Sequence, residues 1–162
     1  MKIFVSLFLI FATFLSTVVA APEKVLKPSE DPFYQPPSGY ENAKPGDILR
    51  FRPSPHKLRT IYAPFNIKSA YQYMYRTENA LGNPSYAVSL LIEPYNANNS
   101  RLVQYSIAED SASFDCGASY TFQYGASMST LAGQAEGLLI QAPLNEGYWV
   151  NTADYEGPNA SF

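Results

Sequence analysis

The sequence predicts an α/β fold with a mixed sheet and one crossover helix. Three runs rich in aromatic and β-branched residues, separated by turn segments, predict antiparallel strands: "AYQYMYRTE", "SYAVSLLIEP" and "RLVQYSIAED". Further along, a helical pattern leads directly into the short strand "YWVNTA", which is typical of a crossover between parallel strands. The second of the three runs is the most apolar, so we expect it to be the central strand of the meander.

The first twenty residues predict a secretory signal peptide. "MKIFVSLFLIFATFLSTVVA" combines Lys2, an apolar stretch and small residues near its end, so we expect cleavage after Ala20 or Ala21. The apolar stretch is shorter than the ~20 residues that a membrane-spanning helix needs. We therefore expect a secreted, extracellular protein.

Residues 21–57 form a proline-rich N-terminal arm. Eight of the thirteen prolines lie between residues 22 and 57, so this segment is expected to run extended or in turns. The exception is "GDILRFR", whose alternation predicts a short strand. We expect residues 58–162 to form the body on which the arm lies.

One segment of the body has helical periodicity. Pro143 is expected to kink or shorten the last turn of this helix, and Gly147 suits the position just past its end. Five small or apolar side chains fit one face of it: Leu131, Ala135, Leu138, Leu139 and Ala142.

Charge and motif content exclude several function classes. The chain has 11 Lys and Arg against 14 Asp and Glu, and no segment carries a basic stripe, so a nucleic-acid partner is not expected. No cluster of His, Cys, Asp or Glu has the spacing of a metal site, and no glycine-rich loop has a phosphate-binding pattern. We therefore predict neither a metal nor a cofactor.

Because glycosylation and disulfide formation occur in secreted proteins, two sequons and the single cysteine are candidate modification sites. Asn98 and Asn159 each begin an Asn-x-Ser sequon, and Asn98 is the better candidate for glycosylation because it lies in a polar loop. Cys116 is the only cysteine. It predicts an intermolecular bridge, a free thiol or a disulfide partner outside this sequence, and a buried structural thiol is an equal alternative.

The sequence contains no clear nucleophile and base for covalent catalysis. The only histidine, His56, lies in "PSPHK", where an exposed loop residue is expected rather than a catalytic base. A G-x-S-x-G nucleophile elbow is absent, and the nearest approach, "GASMS", lacks the final glycine. We therefore interpret Ser127 as a loop residue.

The segment "DYEG" is the best candidate site. It follows the strand "YWVNTA" and places Asp154 and Tyr155 at a carboxyl strand end, where open α/β sheets bind ligands. Backbone N–H groups in such a turn can stabilise a developing oxyanion during acyl transfer. The alternative is an ordinary turn that begins with aspartate.

Four segments together resemble the fungal secretory lipases, the family of yeast secreted triacylglycerol lipases. They are "DPFYQPPSGYENAKPGDILRFR", "YQYMYRTENALGNPSYAVSLLIEPYN", "YSIAEDSASFDC" and "EGYWVNTADYEGPNASF". The resemblance extends from Asp31 to Phe162. It implies an α/β-hydrolase fold that acts on triacylglycerols and other esters, with a Ser-His-Asp triad, a lid and no cofactor.

The resemblance also assigns roles to individual residues. Asp154 matches the family's turn that supplies one half of the oxyanion hole. The nucleophile elbow, the acid and the histidine of the family fall in a C-terminal part that this sequence does not contain, and the resemblance places the disulfide partner of Cys116 there too. We therefore expect an incomplete α/β-hydrolase fold, in which the last strand lacks later neighbours and exposes an apolar edge.

Three functions remain open at this point. The first is the N-terminal portion of a secreted lipase, which is inactive alone and whose family contacts lipid ester substrates. The second is a non-catalytic secreted relative of the lipases that binds lipid or a protein partner. The third is an unrelated β-rich carbohydrate-binding module, since exposed tyrosines can stack on sugars, although tyrosines more often pack across strands.

Overall fold

The computed structural model describes residues 24–108, 113–127 and 131–154. The predicted signal peptide, Tyr155 and Asn159 lie outside these residues. The strands and helices are, in chain order, β1 (Ile48–Pro53), β2 (Ser69–Glu78), β3 (Pro84–Glu93), β4 (Leu102–Gln104), α1 (Ala118–Thr121), α2 (Leu131–Asn145) and β5 (Trp149–Ala153). Three single-turn 3-10 helices accompany them: Pro32–Tyr34, Tyr40–Asn42 and Phe114–Cys116.

The strands form one mixed sheet in the order β1-β2-β3-β5-β4. The pairs β1/β2, β2/β3 and β3/β5 are antiparallel, whereas β4 and β5 are parallel. The β2/β3 turn forms because Asn79 Oδ1 accepts hydrogen bonds from the N–H groups of Leu81 and Asn83, and Gly82 supplies a positive φ of 77°. The α/β class and the parallel crossover through α2 are therefore confirmed, as is the central position of the second run, now β3.

The third run was wrongly placed in the meander. β4 does not pair with β3, because β5 lies between them: Ser89 of β3 is opposite Ala153, and Val103 of β4 is opposite Val150. The crossover explains this order, since it returns the chain to the sheet on the inner side of β4. The expectation that the last strand has an open edge is wrong for the same reason, and in the described sheet the edge beyond β5 is the short strand β4.

Helix α2 packs through a different face from the predicted one. Leu138 and Leu139 are 48% and 61% exposed, and Ala135 and Ala142 are also exposed, whereas Ile140 is fully buried. Glycine explains the difference, because small residues let a helix approach its neighbours closely. The contact face consists of Gly133, Gln134, Gly137, Ile140 and Leu144. A Cβ atom at Gly133 would stand 2.6 Å from Thr121 Cγ2, and one at Gly137 would stand 3.0 Å from Phe65 Cζ.

At the end of α2, Gly147 lies where it was predicted, but the helix runs past Pro143. Pro143 lies inside the helix, which continues to Asn145. Gly147 has a φ of 81° just beyond it, as expected for a residue that ends a helix in the left-handed conformation.

Two hydrophobic clusters form the core. The larger lies between the sheet, α1 and α2 and includes Leu90, Phe122 and Val150. The smaller, which includes Phe33 and Met74, joins the N-terminal arm to β2 and β3. The segment before β1 is therefore packed on the sheet, of which β1 itself is a strand.

The tyrosines of β2 lie on the sheet face opposite Met74. Gln72, Met74 and Arg76 are the buried residues of this strand, and the tyrosines that alternate with them are half-buried. The Tyr71 ring stacks on Phe51 with centroids 5.4 Å apart, and the Tyr73 hydroxyl donates to Asn151 Oδ1 at 2.8 Å. These contacts are cross-strand packing and hydrogen bonding within the sheet, not an array of free rings.

Candidate functional site

Asp154 directly follows β5 and is only 7% exposed. Its backbone N–H donates to the carbonyl of Val88 at 2.8 Å, which continues the β3/β5 ladder by one residue. The strand is buried on its central residues Val150, Asn151 and Thr152, so the chain reaches Asp154 from the interior of the sheet. The predicted location at a carboxyl strand end is thus what the structure has.

The carboxylate of Asp154 is bound by Ser119 of α1. The Ser119 N–H donates to Oδ1 at 2.7 Å, and the Ser119 hydroxyl donates to Oδ2 at 2.5 Å. Gly117 leaves room for this contact, because a Cβ atom there would lie 2.6 Å from the Asp154 carboxyl carbon. Hydrogen bonds to a charged acceptor are among the stronger ones in proteins, so α1 and the end of β5 are fixed to each other.

Behind Ser119, the hydrogen bonds continue into the sheet. The Ser119 hydroxyl lies 2.7 Å from the hydroxyl of Tyr34. Gln72 Nε2 donates both to the Tyr34 hydroxyl at 3.0 Å and to the Ser119 carbonyl at 2.8 Å. Gln123 Nε2 donates to the same carbonyl at 3.0 Å. Tyr34 and Gln72 are almost fully buried, so these bonds satisfy groups that water does not reach.

At its far end, this series of contacts reaches an ion pair in the N-terminal arm. Arg52 of β1 donates through Nε to Gln72 Oε1 at 2.6 Å and through Nη2 to Asp31 Oδ2 at 2.5 Å. Its guanidinium group also lies 4.0 Å from the centroid of the Phe33 ring. A continuous hydrogen-bonded series, which we call the polar chain, therefore connects the arm to the end of β5: Asp31, Arg52, Gln72, Tyr34, Ser119 and Asp154.

The environment of Tyr34 keeps its phenol neutral. Burial raises the pKa of the Tyr34 hydroxyl well above its ordinary value, and the nearby negative charge of Asp154 raises it further. A neutral phenol has one proton to donate. Because the Ser119 proton goes to Asp154 and Gln72 donates to Tyr34, the phenol proton goes to the Ser119 hydroxyl. In this part of the polar chain, Gln72 therefore donates to Tyr34, Tyr34 donates to Ser119, and Ser119 donates to Asp154.

The other residues considered for catalysis lie elsewhere. His56 is half-buried, not exposed as predicted, in the loop after β1, and it lines two cavities whose walls include neither Asp154 nor Ser127. Ser127 lies in a loop, as predicted, and its N–H donates to the Tyr120 hydroxyl at 3.0 Å. The structure therefore does not place His56 with Asp154 in one cavity wall.

The two candidate modification sites in the described part of the chain lie on loops or short turns. Asn98 is exposed, and its Oδ1 accepts from the N–H and the hydroxyl of Ser100, which forms a local turn. Cys116 is half-buried at the end of a 3-10 helix, and its carbonyl accepts from Thr121 Oγ1 at 2.9 Å. As the only cysteine in the sequence, it has no partner for a disulfide within this chain.

Metal-binding and membrane-spanning features were searched for in residues 24–108, 113–127 and 131–154. In these ranges, no group of three His, Cys, Asp or Glu residues is close enough to hold a metal ion. No helix within the same ranges is both long and apolar enough to cross a membrane.

The sequence pointed to Asp154 but not to the residues that bind it. Ser119, Gln72 and Tyr34 precede Asp154 by many residues and carry no motif, so only the fold brings them together. The one local signal is Gly117 in the small-residue stretch "DCGAS". A glycine there allows another side chain to approach the backbone closely, which the Asp154 carboxylate does.

Comparison with known proteins connects this site to a family. The family model described as "Secretory lipase" matches residues 122–162, which include α2, β5 and Asp154. Lipase 2 of Candida albicans is 45% identical over 148 residues, which cover 91% of this chain and 32% of that lipase. This chain is a relative of the secretory lipases. Lipase A of Arthroderma benhamiae is 42% identical over 147 residues, covering 88% of this chain and 31% of that lipase.

Solved structures agree with this relationship. The crystal structure of Candida antarctica lipase A in its closed state has a TM-score of 0.71 and 25% identity to this secretory lipase relative, covering 85% of this chain and 32% of that one. A second crystal structure of Candida antarctica lipase A gives a TM-score of 0.65 at 26% identity. The predicted partial α/β-hydrolase fold is therefore confirmed. The chain spans about a third of the length of the relatives that it matches.

Proposed function

We propose that this chain is the N-terminal portion of a secreted carboxylic ester hydrolase, a triacylglycerol lipase that acts in lipid catabolism. The observation that supports this best is the location of Asp154. It lies at the carboxyl end of β5, inside the segment that matches the secretory lipases, and is held there by the polar chain. An acyl-transfer site needs such a fixed position for the donors that face the oxyanion.

Asp154 belongs to the oxyanion hole in this proposal. Its carboxylate, bound by Ser119, fixes where the chain leaves the sheet. Its own N–H is occupied by the carbonyl of Val88. A donor to an oxyanion at this turn therefore has to come from Asp154 after an exchange of partners, or from the residues that follow it.

The catalytic triad lies outside this chain in the same proposal. The sequence contains no G-x-S-x-G elbow, and its one histidine lies in the loop after β1. The lipases that it matches are about three times as long, which leaves room for a nucleophile, an acid and a histidine. We propose that this chain alone does not hydrolyse esters and that the disulfide partner of Cys116 lies in the same additional part.

Sequencing of the transcript through the codon of Phe162 tests this proposal. We expect the reading frame to continue into a G-x-S-x-G strand, turn and helix, followed by an aspartate and a histidine. A stop codon directly after Phe162 would overturn the enzyme proposal for this product. The non-catalytic relative that binds lipid or a protein would then be the better account.

The longer product then allows a kinetic test of Asp154. Asp154→Ala keeps the backbone N–H and removes the carboxylate that Ser119 binds, so it tests whether that carboxylate positions the oxyanion donors. We expect kcat for a soluble ester to fall, with a much smaller change in KM. Asp47→Ala is the matched control, because Asp47 is exposed and its carboxylate accepts only from the N–H of Lys44 among the described contacts. Equal activity of Asp154→Ala and the parent would show that the Asp154 carboxylate does not position the oxyanion hole.

Secretion and glycosylation form a separate part of the proposal. We expect a yeast host to release the protein into the medium without residues 1–20, and Asn98→Gln to remove one glycan. Retention in the cell with an intact N-terminus would contradict the signal peptide. An unchanged mass of Asn98→Gln would contradict the glycan at Asn98.

A further inference from the structure

Helix α2 carries an apolar stripe on the side that faces away from the core. The helical period places four apolar side chains next to one another: Ala135, Leu138, Leu139 and Ala142. All four are exposed, and the two leucines are 48% and 61% exposed. The opposite side of the helix, which includes Ile140, is the one that packs on the core. The helix is therefore apolar on two opposite sides, and the described residues cover one of them.

The helix lacks the charged side chains that a solvent-facing surface normally has. Glu136 is the only charged residue among the fifteen of α2. Its carboxylate accepts from the Tyr105 hydroxyl at 3.2 Å and from the Ala108 N–H at 3.0 Å, so it is bound to the segment after β4. A surface helix typically has charged or polar residues opposite its buried face, whereas a helix that is apolar all round lies inside a larger protein. The composition of α2 is that of an interior helix.

The polar side chains at one border of the stripe are held by neighbouring groups. Gln141 Oε1 accepts from the Asn66 N–H at 3.2 Å, and Gln141 Nε2 donates to Asn145 Oδ1 at 2.9 Å. These contacts connect the surface of α2 to the segment before β2. The stripe is therefore formed before any partner binds, which lowers the entropic cost of a contact there.

We propose that this stripe is the contact surface for a helix from the additional C-terminal part of the protein. The inference rests on the proposed function, in which this chain is the N-terminal portion of a lipase. The relatives that it matches are about three times as long, so most of such a protein is available to cover a face that these residues leave exposed. Two leucines between two alanines suit a helical partner, because helices with small side chains at the contact pack with their axes ~8–10 Å apart.

Hydroxyl-radical footprinting with mass spectrometry tests this contact, because it labels leucine side chains according to their exposure. The 162-residue chain is compared with the longer product. We expect labelling of Leu138 and Leu139 to fall by at least about fivefold in the longer product, toward the level of Leu144, which is 1% exposed in the same helix. Leu81, which is 85% exposed in the β2/β3 turn, is the control and should be labelled equally in both.

A charge placed on the stripe gives an independent test. We expect Leu139→Glu to lower the midpoint of thermal unfolding of the longer product by at least about 4 °C, because it buries an unpaired carboxylate at the contact. In the 162-residue chain, the same change should shift the midpoint by less than about 2 °C. Leu81→Glu is the matched control and should have a small effect in both. Leu139→Ala should act in the same direction with a smaller shift, so the comparison holds even where the charged variant does not fold.

The outcomes distinguish this contact from the proposed enzyme activity. A longer product that hydrolyses esters but keeps Leu138 and Leu139 labelled would overturn the contact and leave the proposed function intact. One that protects both leucines without hydrolysis would support the contact and remove the proposed function. Protection that already exists in the 162-residue chain and rises with its concentration would assign the stripe to a second copy and overturn the proposal. A stop codon directly after Phe162 would remove both.

Discussion

Ser119 donates both its backbone N–H and its hydroxyl to the carboxylate of Asp154, although 35 positions separate the two residues. This pair joins the short helix α1 to the end of β5. It also forms the last step of the polar chain, which begins at the Asp31 and Arg52 ion pair in the N-terminal arm. The position of Asp154 at the end of β5 therefore depends on residues from the arm, the sheet and α1 together.

Removal of the Ser119 hydroxyl tests the Asp154 contact. We expect Ser119→Ala to lower the free energy of unfolding by about 1–3 kcal/mol, because Asp154 loses one donor and the Tyr34 hydroxyl loses its acceptor in a buried place. Urea unfolding of the purified chain measures this change. Ser38→Ala is the control, since Ser38 is exposed, and its effect should stay within about 0.5 kcal/mol. Equal effects of the two variants would contradict the importance of the contact.

Gly117 is predicted to be required because of the Asp154 carboxyl group and not because of its backbone. Its φ of −55° is open to any residue, so the problem for Gly117→Ala is the 2.6 Å approach of a new Cβ to the Asp154 carboxyl carbon. We expect a loss of about 1–3 kcal/mol. In a double-mutant cycle with Asp154→Ala, most of that loss should disappear. Additive losses would show that the clash is not with Asp154.

The ion pair in the arm is expected to matter more than a surface pair. Arg52→Ala leaves the largely buried carboxylate of Asp31 without its cation and should cost about 3–5 kcal/mol of unfolding free energy. Lys24→Ala removes an exposed partner of Glu30 and should cost less than about 1 kcal/mol. Denaturant midpoints of both variants give the comparison. A similar small effect of both would mean that the arm is not coupled to the sheet through Arg52.

Tyr34 predicts a loss of stability at alkaline pH. Burial and the charge of Asp154 raise the pKa of Tyr34 above its ordinary value of 10.0. The folded state therefore keeps a proton that the unfolded state releases above about pH 10. The contribution of Tyr34 to the free energy of unfolding is fully present below that pH, and above it the free energy of unfolding falls by up to ~1.4 kcal/mol per pH unit.

Tyr34→Phe isolates this contribution. The variant cannot release that proton from either state, so its stability should fall less steeply above pH 10.0, by about one proton. Urea unfolding at a series of pH values measures the slope. Tyr62→Phe controls for loss of a hydroxyl from an exposed ring. An unchanged slope in Tyr34→Phe would contradict a buried neutral phenol.

Helix α2 allows a direct test of which face is buried. Ile140→Ala removes a fully buried side chain and should cost about 2–4 kcal/mol, whereas Leu139→Ala, at a position 61% exposed, should cost less than about 1 kcal/mol. Thermal or urea unfolding distinguishes them. The reverse order of the two losses would support the face that the sequence pattern marks.

The same helix shows what the sequence could and could not predict. Its existence, its end before Gly147 and its connection to a parallel strand followed from local patterns. Its buried face did not, because close approach at Gly133 and Gly137 decides the packing, and that approach depends on Thr121 and Phe65 in other elements. The position of β4 outside β5 is likewise a property of the crossover.

In the candidate site, too, one residue could be predicted from the sequence and the others could not. Asp154 could be found because the strand pattern "YWVNTA" runs directly into the turn-forming residues "DYEG" in the sequence. The groups that hold it could not, because Tyr34, Gln72 and Ser119 are polar residues on elements far apart in sequence, and a lone Gln on a strand normally predicts a solvent-facing position. Gln72 is instead fully buried, since it satisfies Tyr34, Ser119 and Arg52 at once.

The most direct test of the central claim is hydrolysis of para-nitrophenyl butyrate by the purified chain. We propose that Asp154 belongs to the oxyanion hole of an ester hydrolase whose nucleophile lies outside these 162 residues. We therefore expect the purified chain to release nitrophenol at the rate of the buffer alone. Turnover above that rate, abolished by Ser127→Ala or His56→Ala, would contradict it by showing that the chain carries a nucleophile and base of its own.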